Sequence, residues 1–296
     1  MAVSARIKLL VIYGGRSAEH DVSRVTASHV LRAADPARYE VVPVAIDRDG
    51  RWHLAEETMA TLAGGRDSLP ESLPVDGPVA DSMTLLQAGA ASLTGGTDGS
   101  DNSLVALPLL HGPFGEDGTV QGLLELAGVP YVGSGVAASA LCMDKDLFKA
   151  VLRDRGIPVA ANITLRPGDP VANPFGYPVF VKPARLGSSV GISKVDDERG
   201  LEAAVALARR HDDKVLVEDF QPGIEVEVGV LGNRDPVASV AGEIVAHADW
   251  YDFEAKYATG GMDLVVPARI PEETADRARQ LAIDAFLATD CEGMAR

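Results

Sequence analysis

Val181-Lys182-Pro183-Ala184-Arg185-Leu186-Gly187-Ser188-Ser189-Val190-Gly191 begins as a strand that delivers a lysine and continues as a loop bounded by two glycines. Gly187 and Gly191 let the backbone turn tightly. The loop then exposes main-chain N–H groups beside the Ser188 and Ser189 hydroxyls, a set that can wrap phosphate oxygens. It is not a Walker loop, because the lysine precedes the glycines. Taken alone, the same residues also describe a plain turn between two strands, Val179 to Lys182 and Gly191 to Val195.

The flanking sequence favours the phosphate reading. Upstream, Met143-Asp144-Lys145 falls in a helical stretch from Ala137 to Arg155, followed by a strand from Val159 to Leu165. Downstream, a helix from Glu198 to Arg210 leads into the strand Lys214 to Asp219, which ends in acids, and then into Pro222-Gly223-Ile224-Glu225. Lys145 and Lys182 would offset phosphate charge, while Glu218 and Glu225 would accept hydrogen bonds from the amino and hydroxyl groups of a nucleoside. Each residue alone reads as a solvated surface charge; the ordered set reads as a nucleotide site. Strands Glu225 to Leu231 and Val237 to Ile244, an irregular polar loop from Trp250 to Gly261, and a helix from Thr274 to Leu287 follow.

Toward the N-terminus, Ile7 to Tyr13, a helix after Glu19, Tyr39 to Ile46 and Leu104 to Leu110 alternate strand with helix, the pattern of a parallel sheet with crossover helices. Thr58 to Ser103 reads as irregular, and its Thr94 to Ser100 segment has the composition of a surface loop. The early strand is followed by Gly14-Gly15 but by no G-x-G-x-x-G, which argues against a nicotinamide enzyme.

The 296 residues are 46% hydrophobic and 24% charged, enough for about two globular domains that need no disulfide. A formal net charge of −16 with no long Lys/Arg cluster argues against nucleic acid as a partner. Cys142 and Cys291 form no pair motif, which fits a reducing, cytoplasmic compartment. The first apolar run stops at Gly14 without a cleavage site, and Leu104 to Leu110 is far short of the roughly 20 apolar residues a membrane helix needs. No membrane partner is expected.

Lys145, Lys182, the 187–191 loop, Glu218 and Glu225 follow an order similar to the ATP-grasp nucleotide site. Four further segments resemble the D-alanine:D-alanine ligases specifically. They are Gly14-Gly15-Arg16-Ser17-Ala18-Glu19-His20-Asp21-Val22-Ser23, His111-Gly112-Pro113-Phe114-Gly115-Glu116-Asp117-Gly118, Tyr131-Val132-Gly133-Ser134-Gly135 and Tyr251-Asp252-Phe253-Glu254-Ala255-Lys256-Tyr257.

The resemblance implies an α/β fold: a parallel-sheet N-terminal domain of pre-ATP-grasp type over 1–134, then an ATP-grasp fold with a central subdomain over 135–218 and a C-terminal one over 219–296. It implies D-alanine and ATP as substrates. The first D-alanine carboxylate would attack the γ-phosphate, and the amine of the second would displace phosphate from the acyl-phosphate, giving a dipeptide for peptidoglycan synthesis. Glu19 would hold the first ammonium, which cannot be buried unpaired. Ser188 and Tyr257 would join Glu19 in closing the 250–261 loop, keeping water from the acyl-phosphate. His111 would lie near the first substrate. Lys256 would reach the γ-phosphate, and Gly187, Ser188, Ser189 and Gly191 would line the phosphates.

Arg296 would face the oxyanion of the tetrahedral intermediate. The family's ligands for magnesium (or manganese) would fall beyond Arg296, so the resemblance assigns no metal ligand within the chain and reads the last subdomain as incomplete. A D-alanine:D-lactate ligase and a non-catalytic nucleotide-binding fragment are the alternatives; Tyr257 favours the dipeptide. A homodimer is compatible with all three.

Overall fold

The computed structural model of the chain describes residues 6–86, 104–247 and 261–296. The chain divides into two compact units, Met1–Val136 and Ala137–Arg296.

In the first unit, β1 (Ile7–Gly14) lies between β2 (Tyr39–Ile46) and β5 (Leu104–Pro108) and pairs in parallel with both. Two short strands, β3 (Trp52–Leu54) and β4 (Val79–Ala80), extend the sheet in antiparallel fashion to the order β4-β3-β2-β1-β5. The run Leu9 to Tyr13 is apolar without alternation because both faces of β1 are covered. Leu9, Val11 and Tyr13 pack with Ala27 and Leu31 of α1 (His20–Ala33). Leu10 and Ile12 pack with Val120 and Leu124 further along the chain.

The expected irregularity after Thr58 is corrected: α2 (Glu56–Gly64) runs through it. Thr58 is buried with its hydroxyl 3.4 Å from the Tyr13 hydroxyl, and Leu62 packs on the α1 side of the sheet. These are tertiary contacts that local sequence does not reveal. Thr94 to Ser100 lies outside the described residues. The helix α3 (Thr119–Ala127), which carries Val120 and Leu124, closes the other face.

The second unit departs from expectation at its start. The single helix read from Ala137 to Arg155 is two, α4 (Val136–Met143) and α5 (Lys145–Asp154). Asp144 breaks it: its backbone is extended, and its carboxylate accepts from the N–H groups of Asp146 and Leu147, an N-cap that starts a fresh helix. The sheet of β6 (Asn162–Leu165), β7 (Val179–Pro183), β8 (Ser193–Val195) and β9 (Val215–Asp219) is antiparallel, in the order β6-β9-β7-β8. Leu201, Ala204, Val205 and Ala208 of α6 (Glu198–Ala208) cover Val179, Val181, Val215 and Val217.

The strands read as Glu225 to Leu231 and Val237 to Ile244 each divide between two sheets. β10 (Glu225–Glu227) and β13 (Gly242–Ala246) join β14 (Met262–Val265); β11 (Val230–Gly232) and β12 (Val237–Ala238) join β15 (Gly293–Ala295). The switch comes at Gly229, whose N–H donates to Ser239 Oγ and whose carbonyl accepts from Ser239 N, so the two chains cross over together. The helix α7 (Glu272–Ala288) packs Phe286 against Val230, Ala138 and Cys291. Among the described residues no helix is long and apolar enough to cross a membrane.

Candidate functional site

In the second unit, β7 brings Lys182 near its end and β9 brings Glu218 beside it, in register with Phe180. Helix α5 supplies Lys145 in its first turn and Lys149 one turn later, on the same face. Lys182 and Lys149 each form an ion pair with one oxygen of Glu218, which is only 8% exposed. Burial opposes charge on this carboxylate, but the two ammonium groups outweigh it and hold it below the usual glutamate range. Lys149 also donates to the Ala160 carbonyl at 3.0 Å.

Lys145 donates to the carbonyls of Pro183 (3.3 Å), Ala184 (3.4 Å) and Leu186. Burial, reinforced by Lys182, brings its pKa down to about 8. The other acids acting on Lys145, Asp144 and Asp212, are themselves paired with Lys214 and Arg185. Three lysines against Glu218 leave this cluster positive within a chain of net charge −16, as an anion site requires. Lys149 was not among the expected residues, although its place four residues after Lys145 was a usable signal.

The loop after β7 is not a plain turn. Ser188 (φ 52°) and Ser189 (φ 58°) both adopt the left-handed region, a costly state for non-glycine residues that collects at ligand-binding segments. Gly191 (φ 71°) is obligatory: a Cβ there would come 2.6 Å from His211 and 2.9 Å from Pro183. Val190 N donates to Gly187 O and Ile192 N to Ser189 O, so the loop is closed by its own backbone. Its base is fixed by Arg185, whose N–H donates to Asp212 at 2.8 Å.

Glu225 opens β10 at an exposed position opposite Ile244. Arg296, 69% exposed, follows β15 and pairs with Glu227 of β10 at 3.2 Å.

In the first unit, Glu19 sits at the start of α1 but its side chain does not cap that helix. Glu19 Oε2 lies against the backbone of Gly112, where a Cβ would come within 2.7 Å of it. His111 follows β5 with Nε2 3.3 Å from Thr26 Oγ1 and Nδ1 3.9 Å from Glu116 Oε1. Glu19 and the His111 loop are therefore brought together. A cavity of about 280 Å³ adjoins the His111 loop, lined by Gly15, Arg16, Trp52, Leu110, His111 and Phe114. The Arg16 guanidinium sits 5.0 Å from the Phe114 ring centre.

Glu19 and Ser188 belong to different units. Lys256 and Tyr257 lie outside the described residues, as do residues 250–260 of the lid expected from 250 to 261. Among the described residues no three His, Cys, Asp or Glu side chains converge closely enough to hold a metal ion, so these residues do not by themselves fit the magnesium implied by the resemblance.

An α/β chain whose antiparallel sheet delivers a lysine, a carboxylate and a glycine-serine loop to one positive cluster is of the ATP-grasp class. Residues 8–134 match the family model "D-ala D-ala ligase N-terminus" and residues 151–296 match "D-ala D-ala ligase C-terminus". The D-alanine--D-alanine ligase of Nocardia farcinica is 46% identical, with 98% of this chain and 84% of that protein covered. The D-alanine--D-alanine ligase A of Mesorhizobium japonicum is also 46% identical, over 98% and 83%. Among solved structures, the VanG D-Ala:D-Ser ligase of Enterococcus faecalis superposes with a TM-score of 0.78 at 32% identity, covering 98% of this chain and 84% of that one. The D-alanine-D-alanine ligase of Coxiella burnetii gives 0.73 at 32%, covering 98% and 80%. The chain belongs to the D-alanine–D-alanine ligase family.

Proposed function

We propose that this protein joins two D-alanines to D-alanyl-D-alanine at the expense of ATP, in the cytoplasm, for peptidoglycan synthesis. The observation that carries the reading is the convergence of Lys145, Lys149 and Lys182 around Glu218 beside the strained 187–191 loop. ATP supplies the phosphoryl group that turns a D-alanine carboxylate into an acyl-phosphate. Lys145 and Lys182 would neutralise its phosphates, and the loop N–H groups with the Ser188 and Ser189 hydroxyls would bind their oxygens. Glu218 and Glu225 would take the nucleoside, with Lys149 and Lys182 keeping Glu218 ionised and therefore an acceptor only.

In the first unit, Glu19 would hold the ammonium of the first D-alanine and His111 would lie beside it. Arg296 would leave Glu227 to face the oxyanion, and Tyr257 and Lys256 would act from the lid. The 135–218 and 219–296 segments would form the two ATP-grasp subdomains, acting on ATP as its magnesium or manganese complex, in a chain compatible with a homodimer.

The likeness to a D-Ala:D-Ser ligase supports a second reading in which the acceptor is D-serine, with D-lactate as the other alternative acceptor. Phosphate release and product mass, measured with ATP, Mg²⁺ and D-alanine alone or with D-serine or D-lactate added, test both. A D-Ala–D-Ala product supports the proposal; a mixed product formed in preference would move the assignment to the second.

A further inference from the structure

We infer that Lys214, a residue outside the cluster just described, is a positioning residue for the nucleotide site and acts through Lys145. The inference rests on the reading of Lys145 as a phosphate ligand. Lys214 precedes β9 and is only 4% exposed. Its ammonium contacts both oxygens of Asp144, at 2.8 and 3.0 Å, and Asp146 Oδ2 at 2.8 Å. Asp144 is at the same time the cap of α5, accepting from Asp146 N and Leu147 N, and Asp146 also accepts from Thr164 of β6 at 2.8 Å. The first turn of α5 is thus pinned to the sheet by one buried cation.

The main chain of Lys214 completes the device. Its carbonyl accepts from Ala184 N at 2.9 Å, and the Ala184 carbonyl accepts from Lys145 N at 3.0 Å. Two residues earlier, Asp212 holds Arg185 at the root of the glycine-serine loop. A single turn therefore ties together the helix that carries Lys145 and the strand end whose carbonyls receive the Lys145 ammonium. Buried charge networks of this kind fix a register because any slip leaves an ion unpaired. Released from Lys214, the start of α5 would lose its reference to the loop, and Lys145 would no longer be held where a phosphate meets both.

The test is ATP affinity by titration calorimetry for Lys145→Met, Lys214→Met and the double variant, with circular dichroism as the check on folding. Lys214→Met should weaken binding about tenfold, the size of loss that outer partners of a bound group cause. It should cause no further loss when Lys145 is already Met. Lys214→Arg, which can still reach both carboxylates, should recover most of the affinity. If Lys214→Met fails to fold, Asp144→Asn/Lys214→Met keeps the cap, leaves no unpaired Asp144 carboxylate and serves in the same comparison. Unchanged affinity in the Lys214 variants, or losses that multiply in the double variant, would overturn the positioning role. Unchanged affinity in Lys145→Met would instead overturn the nucleotide reading itself.

Discussion

Raising the pH from 8 to 9 should weaken ATP binding through Lys145. Burial, reinforced by Lys182, holds this ammonium at about 8, against 10.5 for a free lysine. Lys145 in the ligand-free protein is then about half charged at pH 8 and about one-tenth charged at pH 9. Phosphates are fully ionised across that range and favour the charged form. Binding should therefore recharge the lysine, taking up about 0.5 proton per ATP at pH 8 and about 0.9 at pH 9, while affinity falls about fivefold.

Titration calorimetry in two buffers of different ionisation heat measures the uptake directly. Lys145→Met should bind weakly and show no such uptake. Uptake that persists in Lys145→Met, or that does not rise with pH in the natural chain, would refute the reasoning. The same shift fixes the sign of a stability effect. The unfolded lysine keeps its proton up to about 10.5 and the folded one only to about 8. The cost of burying the charge is thus fully present below pH 8 and is relieved as the pH rises toward 10.5.

Gly191→Ala should lower the melting temperature, because the new Cβ meets His211 at 2.6 Å in a backbone conformation that alanine resists; we expect a cost of about 1–3 kcal/mol by thermal denaturation. Arg269 donates two side-chain hydrogen bonds to Glu243 and holds its carboxyl at about 2. That pair contributes stability above the ordinary glutamate pKa, lost as the pH falls through about 2, so Glu243→Gln should flatten the loss of stability between pH 5 and 2 in urea titrations.

Lys182, Glu218 and the 187–191 loop could be placed because each lies at or just past the end of a strand, where local sequence says which way the chain delivers it; Lys145 could be placed only within a helical stretch, not at the start of α5. Glu19 and His111 were singled out only through resemblance; on their own surroundings Glu19 reads as a carboxylate at a helix start and His111 as a loop histidine. Lys214 was not legible as anything but the start of a strand, since its burial depends on Asp144 and Asp146, about seventy residues away. The Asp144 cap was hidden in an Ala-rich stretch that reads as continuous helix. Cys142 and Cys291 looked unrelated, yet packing of α4 against the end of α7 brings their sulfurs to 3.7 Å as free thiols. Strands were legible at Glu225 to Leu231 and Val237 to Ile244, but their division between two sheets was not, because the switch depends on Gly229 and Ser239 pairing with each other across ten residues.

The most direct measurement of the central claim is product formation from D-alanine and ATP-Mg²⁺, followed by mass spectrometry alongside phosphate release, for the natural sequence and for Lys182→Met. The account predicts D-alanyl-D-alanine and phosphate in equal amounts from the natural sequence, and loss of both in a folded Lys182→Met variant because the lysine beside Glu218 no longer meets the phosphates. Phosphate release without dipeptide, or dipeptide formation that survives Lys182→Met unchanged, would contradict it.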